Sequence, residues 1–473
     1  MKLLSLALLC LTFVLTGCRG ITGGQAESPA KARQLRSNIN HIVFMMQENR
    51  SFNHYFGKLG EYRERNGFGP ASEIDGLPAG ATNVSTDGTP IPSFHLETTC
   101  VEQLSPDWLE SHVAVNRNQP GSSDMPMDGF VINSAKYSQA TDHTDKAGAR
   151  AMGYYDETDL PYYYFMAAQF ATSDRWFSPV MSTSIPNRIF LQAGTTAGYV
   201  HEPIADQGQC CDQIKTIWHL LSDAGIPWKI YYTDTQPSGL PLTDINNYWP
   251  KFAAAHTANI VPLSEYFSDL KNGTLPAVAF IQTGLGSGRD EHPGGQQTPG
   301  EGGNDIQLGA RFTSEIINAF MFSTAWNDSV FIFTFDESGA FYDHVPPQPA
   351  VHPDGIEPKD LLAKDAVIQP QGDFNKTGFR MPLMVISPFA KKNYVSHTVA
   401  DFTAILKLIQ TRFGLPNLSR RDAAQITMTE FFDFDTVPWA TAPIPPDQPI
   451  DGRCDPSNVP QFGVSVPSTT LAE

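Results

Sequence analysis

Ile42-Val43-Phe44-Met45-Met46-Gln47-Glu48-Asn49-Arg50-Ser51-Phe52-Asn53 is the stretch on which the fold turns. Its first five residues are apolar without alternation, the mark of a strand covered on both faces, as in parallel sheets. The oxygen-rich cluster that follows then sits at the strand's carboxyl end. The same arrangement returns at 330–335, where an apolar run leads into Asp336-Glu337-Ser338-Gly339. Further strand-length runs lie at 228–232, 277–281 and 383–386. Between them apolar residues recur at helical spacing: Ile214, Ile217, Trp218 and Leu221 before Gly225; Phe312, Ile316, Ile317 and Phe320; and Phe402, Ile405, Leu406, Ile409 and Phe413 before Gly414. Strands alternating with helices predict an α/β fold, a mostly parallel central sheet with helices on both faces, whose ligands gather at the carboxyl ends of the strands. No linker, repeat or charge block interrupts it. One large domain with long loops is therefore expected, in keeping with 37 glycines and 37 prolines.

The first residues read as a targeting segment: Lys2, an apolar run over 3–15 that is short for a bilayer span, then small residues up to Cys18. Leu15-Thr16-Gly17-Cys18 resembles a bacterial lipobox, which makes 1–18 a lipoprotein-type signal peptide and Cys18 the lipidated residue. An ordinary secretory signal is the alternative. Residues 19–38 are expected to form a flexible tether and 39–473 the folded body, exported and anchored by lipid to the cell envelope, in the periplasm or on the outer surface. A net charge of −18 argues against nucleic-acid binding and against electrostatic docking on anionic lipid, so membrane contact is expected through the anchor only. Cys100, Cys210, Cys211 and Cys454 are an even set for a compartment that permits disulfides, with the pairing open. The adjacent Cys210 and Cys211 are not expected to bond to each other, so each is expected to reach for Cys100 or Cys454.

Glu48, Asn49, Asp336 and Glu337 converge if their strands are neighbours, and together they offer oxygen ligands suited to one divalent cation: magnesium, calcium or manganese, with zinc also able to accept carboxylates. Singly, each is as readily a helix cap or a solvated loop residue. Ser182-Thr183-Ser184-Ile185-Pro186-Asn187-Arg188 is a hydroxyl-rich turn; beside a metal, a serine oxygen there can lose its proton and attack phosphorus. His112, His292 and His344 stand near Asp or Gly and are candidates to protonate a leaving oxygen, although a lone histidine is usually structural.

In order, these pieces resemble the phosphoesterase family that includes bacterial phosphocholine-preferring phospholipases C and a group of acid phosphatases, relatives of the alkaline phosphatase fold. The likeness begins at His41-Ile42-Val43 and Glu48-Asn49-Arg50-Ser51-Phe52. It continues through Met127-Asp128-Gly129-Phe130, Gly153-Tyr154-Tyr155, Asp159-Leu160-Pro161, Pro186-Asn187-Arg188, Glu291-His292-Pro293 and Phe335-Asp336-Glu337. After Gly339 it runs through Phe341-Tyr342-Asp343-His344-Val345-Pro346-Pro347, Ser387-Pro388 and Tyr394-Val395-Ser396-His397 to Arg412-Phe413-Gly414-Leu415-Pro416. The resemblance implies that Ser184 is the nucleophile, that Glu48, Asn49, Asp336 and Glu337 hold the metal with Ser184 beside it, and that His292 and His344 lie near the phosphate. Ser51 is expected to shape the turn that holds Glu48 and Asn49. The chain departs from the pattern at Pro106-Asp107-Trp108, where phospholipase-like members read His-Ser-Trp, so only His112 remains of that histidine pair. Asn53 stands where the family usually has Asp, Ser338 replaces a frequent His and Ala340 replaces a glycine. The missing histidine puts choline head-group specificity in doubt. The expected activity is metal-assisted phosphoester hydrolysis through a phosphoserine, phospholipase C-like, on a phospholipid or small phosphoester. The alternatives are an acid phosphatase acting on monoesters and a non-catalytic surface binding protein.

Overall fold

The computed structural model describes residues 28–462 apart from 142, 204–209, 285–287, 295–304 and 370–371. The expected signal segment, and Cys18 with it, lies outside the described residues. The central sheet has eight strands: β1 His41–Gln47, β2 Ala171–Ser173, β3 Trp228–Tyr232, β4 Ile260–Pro262, β5 Val278–Gln282, β6 Ser329–Phe335, β7 Leu383–Ile386 and β8 Tyr394–Ser396. Across the sheet they run β8-β2-β7-β6-β1-β5-β3-β4. From β6 to β4 every neighbour is parallel, while β7 is antiparallel to both β6 and β2. The five apolar runs seen in the sequence are the strands that carry the centre of this sheet. The short strands β2, β4 and β8 are each three residues long, too brief to leave a pattern.

The helices that cover the sheet and build the site are α1 Pro29–Asn38, α2 Phe52–Phe56, α3 Trp108–Val115, α4 Pro161–Gln169, α5 Ser184–Ala193, α6 Ile217–Asp223, α7 Ile306–Met321 and α8 Thr403–Phe413. Alternate residues of each strand face opposite layers. On one face Phe44 stacks on Phe280 and on Trp218 of α6, with ring centroids 4.7 and 5.9 Å apart. On the other, Tyr163 of α4 lies 5.2 Å from Phe333 and Phe320 of α7 lies 5.6 Å from Phe331. Helices thus cover both faces, and each such buried side chain contributes about 1.5–3 kcal/mol. Asp305 caps α7 by accepting from Gln307 N at 2.8 Å, and the predicted Phe312, Ile316, Ile317 and Phe320 form its buried side.

Two expectations are corrected. The tether expected over 19–38 gives way at Pro29, where α1 begins, because Leu35 is fully buried against the body and Arg36 Nε donates to Thr411 O of α8 at 3.0 Å. Cys100 is bonded to Cys454, and Cys210 is bonded to Cys211. The adjacent pair sits in a turn closed by Ile214 N donating to Cys211 O at 2.8 Å, with both residues buried, and the other two cysteines are taken up by each other. No described helix is long and apolar enough to cross a membrane.

Candidate active site

β1 and β6 are parallel neighbours with Gln47 beside Phe335, so Glu48-Asn49 and Asp336-Glu337 leave the sheet at the same end. Two hydrogen bonds hold the two ends together: Asp336 N donates to Gln47 O at 3.0 Å, and Asn49 N donates to the side-chain Asp336 Oδ1 at 3.0 Å. Glu48 N is fixed in turn by Asp290 O at 2.8 Å. Asn49 adopts a left-handed backbone, φ 59°, which Asn tolerates better than most residues and which brings its side-chain oxygen inward. Gly339, at φ 62°, makes room for that turn, since a Cβ there would stand 2.3 Å from Asn49 O.

The hydroxyl-rich turn meets these ends from the opposite side. α5 starts at Ser184 itself, and Asn187 locks the turn ahead of it: its Nδ2 donates to Ser182 O at 2.9 Å and Thr183 O at 3.1 Å, while its Oδ1 accepts from Val180 N at 3.1 Å. Ser184 Oγ then lies 2.9 Å from Glu48 Oε2 and 3.4 Å from Asn49 Oδ1. Its place at the first turn of a ten-residue helix favours negative charge on whatever approaches. The competing serines are engaged elsewhere. Ser182 donates to Val200 O, and Ser51 caps α2 by accepting from His54 N at 3.2 Å while donating to Tyr342 O at 2.9 Å. Ser51 therefore has the turn-forming place expected from the sequence.

Arg188, one helical turn beyond Ser184, points its buried guanidinium between the two strand ends. It pairs with Glu48 and Asp336, the latter at 3.0 Å, and approaches Asp244 to 3.8 Å. Burial opposes its charge, and these carboxylates more than restore it. For Glu48, burial pushes the carboxyl far above the ordinary range and Arg188 only partly offsets this; burial and the neighbouring Asp336 do the same to Glu337. Glu337 Oε2 accepts from Gly339 N at 2.6 Å, but its Oε1 is buried and has no hydrogen-bond partner among the described residues. The carboxyls of Glu48, Asp336 and Glu337 are all buried, and Arg188 pairs with the first two of them. These donors are all oxygen, the type that a hard divalent cation takes, and such a cation would favour the charged form of carboxyls that burial otherwise disfavours; the residue types admit calcium, magnesium, manganese or zinc.

The histidines are placed differently. His344 is engaged through both ring nitrogens, Nδ1 with Asn53 Nδ2 at 2.9 Å and Nε2 with Asp75 Oδ1 at 2.9 Å, and Arg380 binds the same Asn53 at 2.9 Å. Asp343 holds Arg380 Nε at 3.0 Å, so the Tyr342-Asp343-His344 motif braces α2 against the strand ends. His292 contacts Pro293 O at 2.7 Å through Nδ1. His112 is buried on α3 with Nδ1 at 2.7 Å from Trp108 O. Ser184 Oγ has none of the three among its hydrogen-bond partners. The structure thus gathers Glu48, Asn49, Ser184, Asp336 and Glu337 at one end of the sheet, while the hydrogen bonds of the three histidines go to other residues.

Two supports were not singled out from sequence. Arg188 lay inside a recognised motif, but nothing local said that it would tie both strand ends. Glu291, with φ 66°, accepts Tyr55 OH at 2.6 Å and Tyr163 OH at 2.5 Å, and its main-chain oxygen accepts Arg50 Nε at 2.9 Å. Burial raises its carboxyl to about 7. This knot lies behind the first motif and keeps Glu48 and Asn49 in place.

A hydroxyl at a helix start, facing an acidic, cation-fitting nest at the ends of two parallel strands, defines a class of hydrolytic α/β enzyme. The match to the Phosphoesterase family model covers residues 39–416, and the chain belongs to that family of phosphoric ester hydrolases. It is 30% identical over 447 residues to Phospholipase C A of Mycobacterium tuberculosis, covering 86% of this chain and 79% of that one. It is 25% identical to Non-specific phospholipase C1 of Arabidopsis thaliana, covering 92% and 79% respectively. Against the Non-hemolytic phospholipase C of Pseudomonas aeruginosa the identity is 28%, over 84% of this chain and 57% of the relative. Among solved structures, a protein in the alkaline phosphatase superfamily from Vibrio parahaemolyticus aligns with a TM-score of 0.39 and 10% identity, over 86% of this chain and 79% of that one.

Proposed function

We propose that this chain is a phospholipase C-like phosphoesterase in which Ser184 is the nucleophile and Glu48, Asn49, Asp336 and Glu337 hold one divalent cation. The observation that carries this reading is Ser184 Oγ, 2.9 Å from Glu48 Oε2 and 3.4 Å from Asn49 Oδ1 at the start of α5. Ser184 attacks phosphorus: its Oγ forms the new P–O bond, the bond to the leaving alcohol breaks, and the alcohol departs with a proton. Water then attacks the phosphoserine, releases the phosphoryl product and restores the hydroxyl. Glu48 Oε2 receives the hydrogen bond of Ser184 and so orients its lone pairs, while Arg188 fixes Glu48 and Asp336. When bound, the cation offsets charge on the phosphoryl oxygens and eases loss of the serine proton. A panel of phosphomonoesters, phosphodiesters and phospholipids, assayed with calcium, magnesium, manganese and zinc in turn, tests the reading. Release of diacylglycerol from a phospholipid is expected; hydrolysis of monoesters alone would make the enzyme an acid phosphatase, and no hydrolysis with any cation would refute the proposal.

Glu337→Gln is expected to lower the affinity for the cation by roughly tenfold or more, since it removes charge from a small oxygen shell. Metal content after dialysis against a chelator and back-titration measures this; full retention would show that Glu337 is not a ligand. We further propose that the protein is exported and carries lipid on Cys18, the reading that Leu15-Thr16-Gly17-Cys18 supports. Mass analysis of detergent-extracted protein should find a diacylglyceryl group on an N-terminal Cys18. A soluble product starting further on would count against it.

A further inference from the structure

Between Asp234 and Glu265 the sequence holds only two of the residues Asp, Glu, Lys and Arg, in a chain that is 17% charged. Asp244 is buried, and the ammonium of Lys251 lies 3.0 Å from Asp212 Oδ2. The stretch folds as a hairpin-like turn over 234–242, then the short helices Asp244–Tyr248 and Pro250–Ala255, then β4. Thr235 bridges Pro241, Leu242 N donates to Asp234 O at 2.9 Å, and Gln236 N donates to Leu240 O at 2.8 Å. Gln236 Nε2 donates to Asn247 Oδ1 at 2.7 Å and so braces the turn on the first helix. Leu240, near the tip of this braced turn, is nonetheless 54% exposed.

Two adjoining grooves of about 420 and 300 Å³ lie between the turn and the helices, and they share Leu240, Asn246 and Pro250. The smaller is walled mainly by apolar side chains: Leu240, Pro241, Pro250, Ala253, Ala254 and Ile260. Phe252 sets the pose of the second helix, for it stacks on Trp228 of β3 with centroids 5.9 Å apart and on His256 at 4.0 Å. Ala254 is left exposed on the groove. A single exposed leucine is ordinary, but an apolar groove on a stretch stripped of charge marks a surface that meets another apolar body.

The sheet fixes where this surface stands. β3, β5, β1 and β6 are parallel in turn, so the chain leaving β3 at Tyr232 emerges at the end where Glu48-Asn49 and Asp336-Glu337 also emerge. The first helix is tied to α5 there: Gln192 Nε2 donates to Asp244 Oδ2 at 3.0 Å, and Arg188 approaches the same carboxylate to 3.8 Å.

We infer that this face seats the enzyme on the surface of a zwitterionic phospholipid bilayer, with Leu240 entering the hydrocarbon and the apolar groove taking up part of a lipid chain. The inference rests on the phosphoesterase reading for lipid as the partner, and it adds a protein-borne contact to the lipid on Cys18. Anionic lipid is disfavoured, because the stretch offers only Lys251, already paired, and the chain has a net charge of −18. A second copy of the chain is disfavoured by the same charge, which repels like from like.

The test uses the chain from residue 18 with Cys18→Ser, so that no acyl anchor contributes, and with Ser184→Ala, so that no lipid is consumed. Flotation with phosphatidylcholine vesicles should carry the protein. Leu240→Asp and Ala254→Asp, each checked for folding by circular dichroism, should weaken partition by roughly tenfold or more, the scale of losing a buried leucine or placing a charge in hydrocarbon. Phe322→Asp should not, because Phe322, 60% exposed, precedes β6 and so lies at the opposite end of the sheet. Replacing part of the phosphatidylcholine by phosphatidylserine should weaken binding at low salt. The docking face is overturned if the parent does not float, if neither Leu240→Asp nor Ala254→Asp weakens binding, if Phe322→Asp weakens it equally, or if phosphatidylserine strengthens it. Self-association without lipid that Leu240→Asp abolishes would also overturn it, by making a second copy the occupant. Soluble phosphoesters given to the Ser184 enzyme judge the catalytic reading separately: hydrolysis without vesicle binding fells the docking face alone, and vesicle binding without hydrolysis fells the catalytic reading alone.

Discussion

Ser184→Ala is expected to lower phosphoester turnover by roughly 10³ or more while the protein stays folded. The hydroxyl is the proposed point of attack on phosphorus, and water placed there would lack both the covalent route and the orientation given by Glu48 and Asn49. The change removes one oxygen from a residue whose side chain caps nothing, so circular dichroism and the unfolding midpoint should hardly move. Acid quenching of wild-type enzyme during turnover, followed by peptide mass spectrometry, should find phosphate on the peptide containing Ser184. Phosphate on Ser51 would contradict the assignment, and so would a fully active Ser184→Ala enzyme. Ser51 is a demanding control, because it belongs to the first motif yet is held by Tyr342 O and His54 N.

Arg188→Met should be the most damaging substitution for stability, costing about 3–5 kcal/mol in the absence of added metal. The guanidinium is fully buried between Glu48 and Asp336, and its removal leaves both carboxylates, with Asp244 nearby, facing one another without a cation. Methionine fills much of the volume, so the loss reports charge rather than a cavity. Urea unfolding in chelator measures it, and saturating divalent cation should recover part of the loss by binding the folded state. Arg188→Lys should fall between the two, since a point charge cannot replace a planar fork that donates to both strand ends. A change under about 1 kcal/mol for Arg188→Met would mean that these carboxylates are protonated and need no partner.

The chain was most legible where local pattern and tertiary role coincide. The apolar runs that form β1, β3, β5, β6 and β7 are buried on both faces for most of their length, so few polar residues interrupt them, and the clusters after β1 and β6 meet because those strands are in-register neighbours. β2, β4 and β8 are edge or near-edge strands whose pairing comes from the rest of the sheet, not from their own residues. The candidate nucleophile Ser184 is marked in the sequence by its place two residues before Pro186-Asn187-Arg188, and in the structure Asn187 builds the turn while Arg188 joins it to the acidic ends. What one sequence could not reveal were contacts between distant residues. Glu291, Asn53 and Asp343 stand out in the sequence, but their contacts with Tyr55, Tyr163 and Arg380 exist only once the fold brings them together. The adjacent cysteines were misread for a related reason, because a general preference about neighbours was applied to a turn whose burial leaves them only each other.

The bond between Cys100 and Cys454 joins positions 354 residues apart, and seven of the eight strands of the sheet lie inside the loop it closes. A ribosome makes Cys100 long before its partner, so during synthesis that thiol must wait while the whole sheet is produced. Oxidation can therefore follow only once every strand of the sheet has been made. A producing cell must supply oxidant late, after the last strand, and a chain stopped short of Cys454 carries an unmatched thiol at Cys100 that can capture a passing one. Yield of folded protein, more than activity, is where a shortage of oxidant would first be felt.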